Sequence, residues 1–228
     1  MTGVQTCALP IWTANYSLAL FHDGHQSILV QNPYSRSLGT PWPPGAFAGY
    51  PFAFGQYSTP PDNTAHQFAV SGSYTLSPTT RLTGRASYAI NTQNEPLLPY
   101  TQNTNLNVRD PLPRTSLNGR METTTAYLGL TSQPFTSIDA TAHYSYEDRN
   151  NLTPRNLYSY VANDTQDQQT PFVPGVSRYI RYNIPHSFTF QQAQAEIGYR
   201  VAPGTRLSVS YTGDFRIRDD QEVHRTDE

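Results

Sequence analysis

From Arg206 to Arg218 the character of the chain reverses at every residue. Leu207, Val209, Tyr211, Gly213, Phe215 and Ile217 form one series, largely apolar and aromatic. Arg206, Ser208, Ser210, Thr212, Asp214, Arg216 and Arg218 form the other, polar or charged throughout. A period of two belongs to the β-strand, whose side chains alternate between the two faces of a sheet. The run is about twice the usual strand length of roughly five to six residues. A long strand with one apolar and one wet face suits a transmembrane β-barrel, with lipid on one side and an aqueous lumen on the other.

The pattern recurs in pairs joined by turn chemistry. Phe68, Val70, Gly72, Tyr74 and Leu76 alternate with polar or small neighbours. Ser77-Pro78-Thr79-Thr80 then turns the chain into the alternating run that carries Leu82, Gly84, Ala86, Tyr88 and Ile90. A second hairpin is expected from about Arg120 to Arg149, turning at Gln133-Pro134-Phe135-Thr136-Ser137. A third runs from Gln192 through the turn Ala202-Pro203-Gly204-Thr205 into the strand described above. Ala14 to His22 reads as a first strand, with Ser27 to Gln31 as a short return strand. Between the hairpins lie long loops at about 32–64, 94–119 and 150–186; the first holds Pro41-Trp42-Pro43-Pro44-Gly45, where proline cannot feed a ladder. Short turns alternating with long loops characterise outer-membrane barrels. In a compact soluble domain, loops of this length argue against the strand assignment.

Composition fits this reading. Hydrophobic residues make up 36% of the 228 and charged residues 14%, too little charge for a disordered chain. Mean hydropathy is −0.58, as expected when lipid-facing residues are diluted one for one by lumen-facing ones. No run of about eighteen apolar residues marks a transmembrane helix. Sixteen tyrosines suit aromatic girdles. A net charge of −2 gives no reason to expect nucleic-acid binding. A soluble β-sandwich or surface adhesin also alternates, but with shorter strands and closer turn signals. The expected fold is therefore all-β: an antiparallel up-and-down transmembrane β-barrel, present as an arc of a larger one.

Residues 1–11 resemble a translated sequencing-adapter read-through and are set aside as a non-native leader, leaving 12–228 as the barrel portion. Cys7, the only cysteine, falls in that leader. The C-terminal Arg225-Thr226-Asp227-Glu228 shows no closing strand with a terminal aromatic, so both ends read as truncated.

Facing follows from parity. Arg81, Arg85, Asp139, His143, Glu147, Glu196, Arg200, Arg206, Asp214, Arg216 and Arg218 are expected to point into the lumen. Charges of both signs could pair across the ladder there or contact an inserted partner, and lining a wet lumen alone accounts for any single one of them. His22 and His25 are close, but without a third ligand at metal spacing they read as turn histidines, and no metal site is assigned. No Gly-x-Ser-x-Gly elbow or phosphate loop is present, so no catalytic residues are assigned and no enzyme is expected. Cys-x-x-Cys-His is absent too, so the chain itself carries no c-type haem.

The order of the hairpins and their turns resembles the MtrB/PioB family of decahaem-associated outer-membrane proteins. The likeness is carried by Pro60-Pro61-Asp62-Asn63, Ser71-Gly72-Ser73-Tyr74 and Leu76-Ser77-Pro78-Thr79-Thr80-Arg81-Leu82. It continues through Leu97-Leu98-Pro99-Tyr100-Thr101 and Leu112-Pro113-Arg114-Thr115-Ser116-Leu117-Asn118-Gly119. Tyr144 to Pro154 and Thr226-Asp227-Glu228 complete it. The resemblance implies a porin-like barrel that sheathes a periplasmic multihaem c-type cytochrome and forms an electron conduit across the bacterial outer membrane. It implies no cofactor on this chain, with haem c on the partner cytochrome. Outer-membrane lipid is the surrounding medium, and an extracellular multihaem cytochrome is a further candidate partner. Some relatives carry an N-terminal Cys-x-x-Cys pair, which this sequence lacks. The alternative is a general or substrate-specific porin.

Overall fold

The computed structural model describes residues 10–33, 53–103, 111–159 and 180–219. In chain order the strands are β1 (Ile11–Phe21), β2 (Ser27–Gln31), β3 (Phe54–Ser58), β4 (Asn63–Ser77), β5 (Thr80–Gln93) and β6 (Gly119–Phe135). They continue with β7 (Ile138–Asn151), β8 (Leu157–Ser159), β9 (Ile180–Tyr182), β10 (Phe188–Ala202) and β11 (Thr205–Arg218). Seven of them form one antiparallel sheet in the order β1-β4-β5-β6-β7-β10-β11. The short hairpins β2-β3 and β8-β9 sit within the connections and stay outside that sheet. The sheet is open, with β1 and β11 at its edges. This is the antiparallel up-and-down architecture expected, as a partial barrel.

All three short turns lie at one end. Ser77-Pro78-Thr79-Thr80 joins β4 to β5, Thr136-Ser137 joins β6 to β7, and Pro203-Gly204 joins β10 to β11. Gly204 has φ of 83°, the left-handed value that a Pro-Gly turn of type II requires at its third position. Each turn is flanked by a register shift, at Thr75/Ser77, Ser132/Phe135 and Arg200/Ala202.

The register also sets a tilt. Thr80, the first residue of β5, pairs through Ser132, Ala140 and Ile197 to Val209, four residues past the start of β11. Ile138, the first of β7, pairs through Tyr199 to Leu207, two residues past that start. The turns therefore step by one residue per strand. A rise of about 3.3 Å against a strand spacing of about 4.8 Å then tilts the strands by about 35° once the turns share one level. That is the tilt of outer-membrane barrels.

One face of the sheet is apolar and the structure leaves it bare. Val209 is 79% exposed, Leu207 63% and Ile197 61%. The only buried hydrophobic side chain among the described residues is Tyr158, at 7%. A soluble sandwich buries such a face against a second sheet; here lipid is the remaining solvent for it. Corrected for stagger, Trp12, Tyr74 and Tyr199 lie beside the short turns. Tyr16, Tyr88, Tyr144 and Tyr146 lie about six to eight residues above the level of the turns. Above them polar groups enter the same face at His66, Asp148, Glu122 and Arg120, interspersed with the apolar Leu20, Ile90 and Ile217. Two aromatic belts bounding an apolar band are the membrane signature of a barrel.

Several local expectations change. The first strand begins at Ile11, inside the stretch set aside as foreign, and ends at Phe21. Ser27–Gln31 is a strand, but it pairs with Phe54–Ser58 rather than returning along β1. Gln133 to Phe135 extend β6, so its turn is tighter than expected. The loops at 32–64 and 150–186 contain β3 and the β8-β9 hairpin, and that at 94–119 holds a bridge between Pro96 and Ser116. Residues 1–9 and the Pro41-Trp42-Pro43-Pro44-Gly45 stretch lie outside the described residues.

The end opposite the short turns is built from side-chain ties. His22 Nδ1 lies 2.5 Å from Asp62 Oδ2, and the Asp23 backbone N–H donates to Asp62 Oδ1 at 2.7 Å. Gln26 Nε2 donates to the Pro96 carbonyl at 3.1 Å, and the Ser159 N–H to the Tyr100 hydroxyl at 3.2 Å.

Candidate functional site

The second face of the sheet is the candidate site. Pairing across the ladders places Arg81 and Arg85 of β5 on it, with Asp139, His143 and Glu147 of β7. Glu196 and Arg200 of β10 share it with Arg206, Asp214, Arg216 and Arg218 of β11. All eleven residues singled out by parity therefore lie on one face. Between them run Ser, Thr and Gln side chains, including Ser71, Thr83, Ser87, Thr125, Ser145 and Gln194.

This face is the concave one. A single trough of about 890 Å³ is lined by residues of β1, β4, β5, β6, β7 and β10, among them Thr13, Ser71, Arg85, Thr125, Glu147 and Phe190. A flat sheet could not enclose one space with six of its strands. Every lining residue belongs to a sheet strand, and the described parts of the long connections contribute none.

Charge on the wall is organised in two groups. Near the short turns, Arg206 grips Asp139 with two parallel bonds, Nε to Oδ1 at 3.2 Å and Nη2 to Oδ2 at 2.6 Å. The same Nη2 reaches Glu196 Oε1 at 2.7 Å. Gly198, opposite Asp139 in register, lets the guanidinium lie flat across β10, since a side chain there would meet it. These groups remain partly exposed, so solvent screens the cluster and it orders the wall more than it stabilises it. Nearer the other end, the Arg216 guanidinium sits 5.0 Å from the Phe190 ring centroid and 5.9 Å from that of Phe188. Arg149 lies 5.2 Å from Phe188 and only 3.5 Å from Glu147. Arginine over an aromatic face is a cation–π contact.

Arg149, Phe188 and Phe190 were not foreseen on this wall. The expected third hairpin began at Gln192, whereas β10 begins at Phe188. Two phenylalanines in the polar series break the alternation rule, and only register with Arg149 and Glu147 reveals their side. His143 stands beside the Tyr127 ring at 6.2 Å. Of the two turn histidines, His22 is held by Asp62 and the His25 N–H donates to Asp23 Oδ1 at 3.0 Å.

The wall has the chemistry of a wet docking or permeation surface: hydroxyls, amides and paired charges spread along strands. Its residues match a known family. The sequence profile described as "Putative outer membrane beta-barrel porin, MtrB/PioB" covers residues 11–228. No curated protein matches the chain.

Proposed function

The chain belongs to the MtrB/PioB family of outer-membrane β-barrel porins, and from that premise we propose that it sheathes a periplasmic multihaem c-type cytochrome, of the decahaem kind, within its lumen. Electrons then cross the outer membrane along the partner's haems in extracellular electron transfer. The barrel supplies position and insulation: an apolar band against lipid outside, and a polar wall against the inserted protein inside. Haem c belongs to the partner, because thioether attachment needs Cys-x-x-Cys-His and this chain has one cysteine. In this reading an extracellular multihaem cytochrome docks at the end that carries the long connections.

The supporting observation is the trough. It runs unbroken across six strands, and no described part of a long connection lines it. A concave polar wall of that extent suits contact with an inserted protein. The test is isolation of the protein from its native outer membrane in mild detergent, with haem absorbance measured per barrel. Reconstitution in vesicles with a reductant trapped inside and a ferric acceptor outside follows. A stoichiometric haem protein and transfer that needs both components support the sheath. A second reading, a general or substrate-specific channel, is favoured by the family's description as a porin. Ion conductance by a barrel free of haem would select it.

A further inference from the structure

Charge on the concave wall does not balance. Among the described residues, pairing places seven arginines on that face, at 81, 85, 149, 200, 206, 216 and 218, against four carboxylates, Asp139, Glu147, Glu196 and Asp214. Seven less four leaves an excess of three positive charges, in a chain whose net charge is −2. The carboxylates are already engaged by the wall itself. Asp139 and Glu196 share Arg206, Glu147 faces Arg149, and Asp214 accepts from Gln192 Nε2 at 2.9 Å. Arg81, Arg85, Arg200 and Arg216 have no carboxylate at ion-pair distance among the described residues. Arg81 spends one N–H on the Ser73 hydroxyl at 3.0 Å, and Arg216 lies over two phenylalanine rings.

We propose that these four guanidiniums make the wall a docking surface for an acidic face of the protein that fills the lumen. This rests on the sheath reading above. Arg200 is level with Arg206, and Arg216 lies ten residues farther along β11, so the charges extend over about 33 Å of strand. Complementary charge at that spacing steers a long partner into the barrel and sets its register along the wall. The surface between the arginines is hydroxyl and amide, so the contact is wet. Salt screens such exposed charges over about 8–10 Å, which makes the docking salt-sensitive.

The experiment compares the full-length protein with its R81Q/R85Q/R200Q/R216Q variant, each expressed with the native cytochrome. Glutamine keeps a polar side chain and removes only the charge. Tagged barrels are captured from detergent extracts at about 50 mM and about 500 mM NaCl. Haem absorbance per barrel is read, and heat-shifted gel mobility establishes that each barrel is folded. The expected result is a roughly tenfold or greater loss of haem from the variant, with wild-type retention falling as salt rises. A second variant, R85E/R216E, should lose haem more completely than R85Q/R216Q, which guards against a simple packing effect. Equal haem in wild type and variants at both salts overturns the docking surface and leaves the sheath standing. A folded wild-type barrel that captures no haem protein at either salt overturns the sheath reading, and the docking proposal with it.

Discussion

Val209→Arg tests the membrane assignment most directly. Val209 lies four residues beyond Thr205, the first residue after a short turn. At a tilt of about 35° those four residues rise about 11 Å along the barrel axis. The apolar band of such barrels is about 25 Å tall, so Val209 sits near its midplane. It is also bare in this sheet, at 79% exposure. Arginine at that depth costs about 2–4 kcal/mol, roughly a thirty- to seven-hundredfold shift in a folding equilibrium. Leu207 is about 5 Å from the turn level. There an arginine can snorkel to the interface, and the cost falls to about 1 kcal/mol. Ser210 is adjacent in sequence but faces the wall opposite Glu196, so Ser210→Arg stays within about 0.5 kcal/mol of wild type. Folding of the three variants into phospholipid vesicles across a denaturant series, read by heat-shifted gel mobility, gives the ranking. Equal losses at 209 and 210, or a larger loss at 207 than at 209, would refute the facing and the depth scale together.

Three further outcomes are expected. Arg206→Gln leaves Asp139 and Glu196 sharing no cation; a double-mutant cycle with Asp139→Asn should show a small favourable coupling that shrinks with salt, and zero coupling at low salt would dismiss the pair. Gly72→Val places methyls where the Trp12 ring lies across the glycine, so Trp12 should leave its seat and its emission should shift in a Trp42→Phe background; an unchanged spectrum would show that the ring does not depend on that gap. The tie between His22 and Asp62 depends on pH. The hydrogen bond to Asp62 raises His22 above its usual 6.5, so its contribution is complete below 6.5 and fades as pH climbs through the raised value. Asp62 is lowered from 3.8, first by the Asp23 N–H and then by His22, so its contribution is present above 3.8 and fades as pH falls through the lowered value. Protection of the 22–62 connection from protease should therefore be greatest between about pH 4 and 6.5 and lessen above it, and His22→Gln should flatten the profile.

The seven long strands were legible because each repeats an apolar series every second residue, and only sheet geometry satisfies that over ten positions. The lumen-facing set follows from the same parity. What parity cannot supply is which strand residues stand opposite one another. That depends on the register shifts beside each turn, such as Arg200/Ala202, and those decide that Arg206 meets both Asp139 and Glu196. The start of β10 was missed because Phe188 and Phe190 put aromatic side chains in the polar series, where Arg149 and Arg216 cover them. β3, β8 and β9 are too short to show a period; β3 is held by its hairpin partner and β8 and β9 by each other, rather than by a face that needs burial. The β8-β9 hairpin is where Tyr158 is buried, near Leu97, Leu112 and Leu117.

The contrast between the two ends of the sheet separates what selection can alter from what it must keep. One residue inserted within β6 or β10 would turn every later side chain of that strand inside out, sending arginines to lipid and leucines to water. The same insertion between β2 and β3, or between β8 and β9, disturbs no ladder of the main sheet. Insertions and deletions should therefore accumulate among relatives at the end bearing the long connections, while the membrane wall changes only by substitution. The end bearing the long connections can then diversify without any redesign of the strands beside it.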